Sequence, residues 1–200
     1  AQRCAGVSCA MTCADDAACA FDAATGSVSC DDAACDVVGD ASVDCVDSAC
    51  TVDVDAAVVC DAAACAGAAD SVVCVDAACD FDVDGSAACA ASVCTLRQAR
   101  QATLSCTAGS DCRVTTAPTT QVLCTDSSCD VTCGGAICDV DCAGDSDCAV
   151  DCRLAVDRCD IEGVTDVVAV SGAGPVGQFA IRSAFLQVAE RVIALDCVPE

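Results

Sequence analysis

The spacing of the cysteines constrains this chain more than any other feature of its sequence. A C-x4-C pair recurs every 14 or 15 residues, at Cys30 and Cys35, Cys45 and Cys50, Cys60 and Cys65, Cys74 and Cys79, and Cys89 and Cys94. Apolar residues alternate on both sides of each pair, which is the period of a β-strand. A fixed period this short predicts a β-solenoid of stacked rungs. A helical repeat is the alternative that the alanine content favours, but the apolar positions step by two.

The core of such a solenoid has to be built from small side chains. Residues 1 to 160 contain 24 of the 25 cysteines, 27 aspartates and six arginines, and the whole chain contains no Lys, His, Trp or Tyr. Alanine, valine and cysteine each bury little apolar area, at about 25 cal/mol per Å². Crosslinks must offset that deficit, so we expect disulfides. Disulfides in turn predict an extracellular or cell-surface location.

Pairing sequence neighbours accounts for every cysteine of the repeat. It gives twelve pairs, from Cys4 with Cys9 to Cys152 with Cys159, each bracketing four to six residues, and leaves Cys197 over. From Cys124 onward a C-x-V-x-C unit recurs three times. Its two cysteines lie about 13 Å apart in a strand, which is too far for a disulfide. Links between neighbouring rungs, where strands lie about 4.8 Å apart, remain the competing connectivity.

Residues 4 to 159 resemble secreted bacterial cysteine-rich repeat proteins with C-x-V-x-C units, and their physics resembles that of narrow, disulfide-filled β-solenoids. This resemblance implies no catalytic activity. Ice binding, which some narrow solenoids perform, would need a flat Thr-x-Thr ladder, whereas the outward positions are expected to be mostly Asp. A structural zinc or iron-sulfur site is an alternative use of the cysteines. The absence of any C-x2-C spacing and of His disfavours it.

The acidic charge excludes some partners and favours others. The net charge is −24, of which −21 belongs to residues 1 to 160, so nucleic acid is not an expected partner and divalent cations are possible ones. No apolar run is long enough to span a membrane. "DFDVDG" matches the opening of a calcium loop and makes Asp80, Asp82 and Asp84 candidate ligands. The closing acid is missing, because Ala91 stands there, and the alternation of the same stretch also fits a strand with aspartates facing water.

Residues 161 to 200 have a different composition and a different motif. "DVVAVS" and "RVIALD" are strand patterns on either side of an amphipathic helix pattern, and Gly172, Gly174 and Gly177 form G-x-G-x-x-G between them. In such a turn the first glycine permits a tight bend, the second admits a pyrophosphate at the helix N-terminus, and the third allows helix and strand to pack. Asp196, at the end of the second strand, would accept the ribose hydroxyls of NAD.

This tail resembles the first strand-helix-strand unit of the cofactor domain in zinc-dependent medium-chain alcohol dehydrogenases, especially the formaldehyde dehydrogenase-like branch. The resemblance implies NAD as cofactor, held by the three glycines and Asp196. A single βαβ unit is half of a dinucleotide site, and the chain has no His to act as a zinc ligand. We therefore expect a mainly β chain, with a disulfide-rich β-solenoid at 1–160 and a truncated Rossmann-type βαβ unit at 161–200.

Two functions follow from this organisation. The first is a non-catalytic, secreted structural or cation-binding repeat protein that carries a remnant of a dehydrogenase cofactor domain. The second is a fragment of an NAD-dependent alcohol or formaldehyde dehydrogenase. NAD chemistry is mainly cytosolic whereas disulfides belong outside the cytosol, so the two interpretations predict different compartments.

Overall fold

The predicted disulfide-rich β-solenoid is confirmed. A computed structural model of the chain describes residues 2–4, 9–98, 102–116, 119–134, 137–152, 158–163, 167–171, 177–180, 182 and 191–195. Within these residues an 18-stranded sheet winds through the repeat and a separate two-stranded sheet forms in the tail. Every strand pair is parallel, as successive rungs of a solenoid require.

The strands of the repeat form two stacks, one on each side of the core. Stack 1 contains β2 (Cys9–Ala14), the second halves of β3 (Ala18–Asp31) and β4 (Ala34–Val46), and then β6 (Ala57–Asp61), β8 (Ser71–Val75), β10 (Ala87–Ala90), β12 (Ala102–Thr107), β14 (Thr119–Thr125), β16 (Ile137–Ala143) and β18 (Arg158–Glu162). Stack 2 contains β1 (Gln2–Cys4), the first halves of β3 and β4, and then β5 (Ala49–Val54), β7 (Ala64–Ala69), β9 (Ala78–Val83), β11 (Val93–Gln98), β13 (Asp111–Thr115), β15 (Ser128–Thr132) and β17 (Asp147–Asp151).

Two kinds of turn join the stacks. Turn T1 leads from stack 1 to stack 2, as between Cys45 and Cys50, and turn T2 returns to stack 1 of the next rung. The registers place cysteine on cysteine along the whole stack, as in Cys45↔Cys60 and Cys60↔Cys74. Valines align in the same way, as in Val58↔Val72. Because strand side chains alternate, every second residue points into the core, where these cysteines and valines are almost fully buried.

Eleven disulfides staple the turns among the described residues, and all eleven join the sequence neighbours that the spacing predicts. Nine close T1: Cys13–Cys19, Cys30–Cys35, Cys45–Cys50, Cys60–Cys65, Cys74–Cys79, Cys89–Cys94, Cys106–Cys112, Cys124–Cys129 and Cys142–Cys148. Two close T2: Cys133–Cys138 and Cys152–Cys159. The side chains of Cys4 and Cys9, the remaining predicted pair, lie outside the described part of the chain.

The T2 disulfides explain the tighter rhythm of the last rungs. In "CDVTC" one strand, β15, carries a T1 cysteine at its start, Cys129, and is followed directly by a T2 cysteine, Cys133. Each of the two belongs to a different disulfide, at opposite ends of the same strand. The C-x-V-x-C unit is therefore one strand crosslinked at both turns, which agrees with the expectation that its two cysteines cannot pair with each other.

Turn T1 depends on residues in the left-handed conformation. The non-glycine residues with positive φ all lie at T1, and they are Asp15, Asp16, Asp32, Asp47, Ala62, Asp76, Ala91, Ala108 and Asp126. Aspartate predominates because its short polar side chain tolerates this conformation better than most residues do. Buried serines fix the same turn: the Ser48 hydroxyl donates to the Val46 carbonyl at 2.6 Å and accepts from the Ala33 N–H at 3.1 Å.

The tail forms a small parallel sheet. β19 (Val167–Ser171) pairs with β20 (Arg191–Leu195), with Val167 opposite Arg191. Between them, residues 177–180 and 182 are helical. The two strands are parallel, which a tight hairpin does not allow.

Candidate functional site

The T1 turns bring carboxylates of successive rungs onto one edge of the solenoid. The backbone N–H of Asp16 donates to the Asp32 carbonyl at 2.7 Å, and that of Asp47 donates to the Asp61 carbonyl at 3.0 Å. The N–H of the left-handed Asp32 likewise donates to the next rung, to the Val46 carbonyl at 3.1 Å. We call this edge, over Asp15 to Asp47, the T1 acidic edge.

A shallow surface cavity lies on the T1 acidic edge. Its lining consists of Ala14, Asp15, Asp31, Asp32 and Asp47. Four of these five residues carry carboxylates, and no Arg or Lys is among them. These carboxylates give the edge a negative potential and repel one another across adjacent strands. A bound divalent cation would reduce both the potential and the repulsion.

The predicted calcium ligands lie elsewhere, and two of them face an arginine. Asp80 and Asp82 are exposed on the outer face of β9, where Phe81 and Val83 point into the core. Arg97, on the next rung of the same stack, contacts Asp80 through Nη2 at 2.6 Å and Asp82 through Nε at 2.6 Å. These carboxylates therefore already have a cationic partner.

Asp84 lies beyond the strand, in the T2 turn. Its backbone N–H donates to the Ala69 carbonyl at 3.1 Å, and the Gly85 N–H donates to the Asp70 carbonyl at 2.7 Å. The "DFDVDG" stretch is thus a strand followed by a turn, which is the alternative that its alternation indicated. Asp80 and Asp82 lie on β9 and Asp84 in the turn that follows it, and calcium binding by these three residues stays a prediction.

We predict that Arg97→Gln lowers the free energy of unfolding by about 0.5 to 1 kcal/mol, the usual range for an exposed ion pair. Hydrogen bonds to Asp82 and Asp80 raise the pKa of the Arg97 guanidinium, which reflects the double contact. Urea denaturation measures the change. Arg113→Gln is the matched control, because among the described residues Arg113 has a single ion pair, with Asp130 at 3.8 Å. An equal loss in both variants would show that the double contact contributes nothing.

The outer face of stack 2 carries a row of small side chains that the sequence analysis missed. A shallow groove runs along it, lined in part by Ala18, Ala34, Ala49, Ala64 and Ala78, each of which directly precedes the second cysteine of a T1 pair. The outward positions are therefore not mostly Asp on this face. The A-C dipeptide at these five rungs was the signal that could have indicated the row.

The cysteines form compact groups of three sulfurs, although each sulfur belongs to a disulfide. The Sγ atoms of Cys30, Cys45 and Cys50 all lie within 4.8 Å of one another. Three thiolates at such distances could hold a soft metal ion, but a disulfide sulfur is not a thiolate and is a poor metal ligand. In the oxidised protein these groups are crosslinks.

The predicted NAD residues fall largely outside the described part of the chain. Gly172, Gly174 and Asp196 are not among the described residues, and Gly177 is the first of the helical residues 177–180. The cofactor prediction therefore stays a prediction.

Comparisons with protein families, with curated proteins and with solved structures found no match to this chain. In the described part of the chain no helix has the length and apolarity needed to cross a membrane. The disulfide density is typical of extracellular proteins.

Proposed function

We propose that this protein is a non-catalytic, extracellular structural repeat whose T1 acidic edge binds divalent cations. The observation that carries the proposal is the disulfide at every described T1 turn, stacked on a core of valines. Such crosslinks restrict the unfolded chain and stabilise a narrow body that has little apolar area to bury. A rigid rod with an acidic edge suits a structural role in an oxidising environment.

The cation-binding part of the proposal rests on charge. At the T1 acidic edge the carboxylates of Asp32 and Asp47 belong to neighbouring rungs, and strands in a sheet lie about 4.8 Å apart. Repulsion between them is partly relieved by monovalent salt, but a divalent ion bound between them would relieve it more. Oxygen ligands of this kind suit calcium.

We predict that calcium raises the melting temperature more than sodium chloride of matched ionic strength. Binding to the folded state adds RT ln(1 + [L]/Kd), about 2.7 kcal/mol at a hundredfold excess over Kd. The double substitution Asp32→Asn and Asp47→Asn is expected to reduce this shift. Without calcium the double substitution should raise the free energy of unfolding by about 0.5 kcal/mol, because it removes two negative charges that repel each other.

Asparagine is the substitution of choice because it tolerates the left-handed conformation that both aspartates adopt, at φ 49° and 48°. Asp76→Asn is the matched control: Asp76 has the same φ of 48°, but the left-handed residues of the neighbouring turns are Ala62 and Ala91. It should leave the calcium shift unchanged. If calcium and sodium chloride shifted the melting temperature equally, the effect would be charge screening alone. The proposal that the T1 acidic edge binds cations would then be rejected.

A second function is favoured by the parallel pair of β19 and β20. Parallel pairing with helical residues between the strands supports a βαβ unit, the arrangement that the G-x-G-x-x-G motif requires. We propose that this tail derives from the cofactor domain of an alcohol dehydrogenase. In such a unit the glycine turn would face a pyrophosphate and Asp196 a ribose, and this is the adenosine half of the cofactor alone.

We predict no tight NAD binding and no alcohol or aldehyde oxidation by this 200-residue chain. One βαβ unit contacts only half of a dinucleotide. Calorimetric titration with NAD, followed by assays with added zinc and short alcohols, tests the prediction. Micromolar binding that Asp196→Ala abolishes, or turnover of any alcohol, would establish the dehydrogenase interpretation instead.

A further inference from the structure

Sulfur atoms of neighbouring rungs approach one another along the core. The Sγ of Cys60 lies within 4.8 Å of the Sγ atoms of both Cys74 and Cys79, which form the disulfide of the next rung. The Sγ of Cys74 in turn lies within 4.8 Å of those of Cys89 and Cys94. At these rungs the T1 disulfides are therefore close neighbours and not isolated crosslinks.

The shorter T2 column has the same arrangement and ends close to solvent. The Sγ of Cys152 lies 4.0 Å from the Sγ of Cys133 on the rung below. Cys133 and its partner Cys138 have no exposed surface, whereas Cys152 and its partner Cys159 are only partly buried. A small reductant therefore reaches Cys152–Cys159 before it can reach Cys133–Cys138.

We propose that the stacked disulfides form a thiol–disulfide exchange relay, which accepts two electrons from a small dithiol at Cys152–Cys159 and passes a thiol to a buried rung. The dithiol is the reductant and its cyclic disulfide is the oxidised product. The relay moves a thiol inward without a metal, a cofactor or unfolding of the rung.

The relay consists of three thiol–disulfide exchange steps. One thiolate of the dithiol attacks Cys159, which breaks Cys152–Cys159 and releases Cys152 as thiolate. The Cys152 thiolate attacks Cys133, forms Cys133–Cys152 and releases Cys138 as thiolate, which takes a proton. The second thiol of the dithiol then displaces Cys159, which becomes a thiol. The net change oxidises the dithiol to a disulfide and leaves thiols at Cys159 and Cys138.

The backbone already suits the new link. Thr132 is opposite Asp151 in the register of β15 and β17, so Cys133 and Cys152 follow at adjacent positions of neighbouring strands. Strands in a sheet lie about 4.8 Å apart, within the range of Cα separations that disulfides span. Link formation between rungs therefore requires rotation of side chains and little movement of the backbone. The attacking group must be a thiolate, so exchange should accelerate as the pH rises.

The first test uses a single trapped thiol. In a Cys197→Ser background, Cys159→Ser leaves Cys152 without its partner. We expect peptide mapping after acid quenching to show a Cys133–Cys152 link and roughly equal alkylation of Cys138 and Cys152, because the two linkages differ little in energy. The control is Ser128→Cys in the Cys197→Ser background, with Cys159 retained. Ser128 is exposed on the outer face of β15, so a thiol at this position should not exchange with the buried disulfides. Label confined to Cys152 would overturn the proposal.

The second test needs no variant of the relay itself and so does not depend on the folding of a mutant. The Cys197→Ser protein is treated with one equivalent of dithiothreitol, quenched with acid and mapped over time. We expect Cys138 to be alkylated together with Cys159, ahead of the other fully buried cysteines. Early thiols at Cys152 and Cys159 alone, with Cys133–Cys138 intact, would overturn the relay.

Discussion

Complete reduction of this protein by excess dithiothreitol at pH 8 is expected to abolish its β-structure. A disulfide that closes a loop of five or six residues contributes about 2 kcal/mol by restricting the unfolded chain. Eleven such bonds together exceed the total of about 5 to 15 kcal/mol by which most domains are stable. The core is made of small side chains, since its largest fully buried ones are one Phe, two Leu and a series of Val.

Far-UV circular dichroism before and after reduction measures this prediction. The control is the same protein exposed to the alkylating reagent alone, which should retain its spectrum because no disulfide has been opened. A reduced and alkylated chain that kept the β-sheet spectrum and a cooperative melt would show that the stacked backbone hydrogen bonds and valines suffice. The role of the disulfides would then be secondary.

The pairing of the cysteines was predictable because the geometry of the repeat is local. Cys45 and Cys50 are separated by one tight turn, and both side chains point inward. The turn alone therefore brings the two sulfurs together, without any contribution from other rungs. The mainly β solenoid followed from the same alternation. The ion pairs of Asp80 and Asp82 did not follow, because both residues acquire their partner, Arg97, only through the register of two strands 15 residues apart.

The acidic edge was visible in the sequence only as charge. Asp32 and Asp47 follow their cysteines at the same distance, but their stacking depends on the left-handed conformation of every T1 turn. That conformation is a property of the three-dimensional rung, since Ala62 and Ala91 adopt it as well. In a similar way, nothing in "ACAGAA" marks its glycine as special until the neighbouring rungs are in place.

Gly67→Ala is expected to destabilise the protein by roughly 3 kcal/mol or more. Gly67 lies in β7 between Val52 and Phe81 of the adjacent rungs. Its φ of +141° is outside the range that residues with a Cβ adopt readily, and a Cβ there would lie 1.7 Å from the Val52 carbonyl oxygen. That oxygen belongs to the backbone, so it cannot move away without disturbing the ladder between β5 and β7.

Gly109→Ala separates the clash from the backbone strain. Gly109 also has a positive φ, +78°, but a Cβ at this position meets nothing within 4 Å. Gly109→Ala should therefore lower the free energy of unfolding only by the strain of a left-handed alanine, about 1 to 2 kcal/mol. Urea denaturation of both variants, with disulfides intact and verified by mapping, gives the comparison. If Gly67→Ala lost no more stability than Gly109→Ala, β5 and β7 would have to separate locally at little cost. The rungs would then be held together by their disulfides and not by close contact between strands.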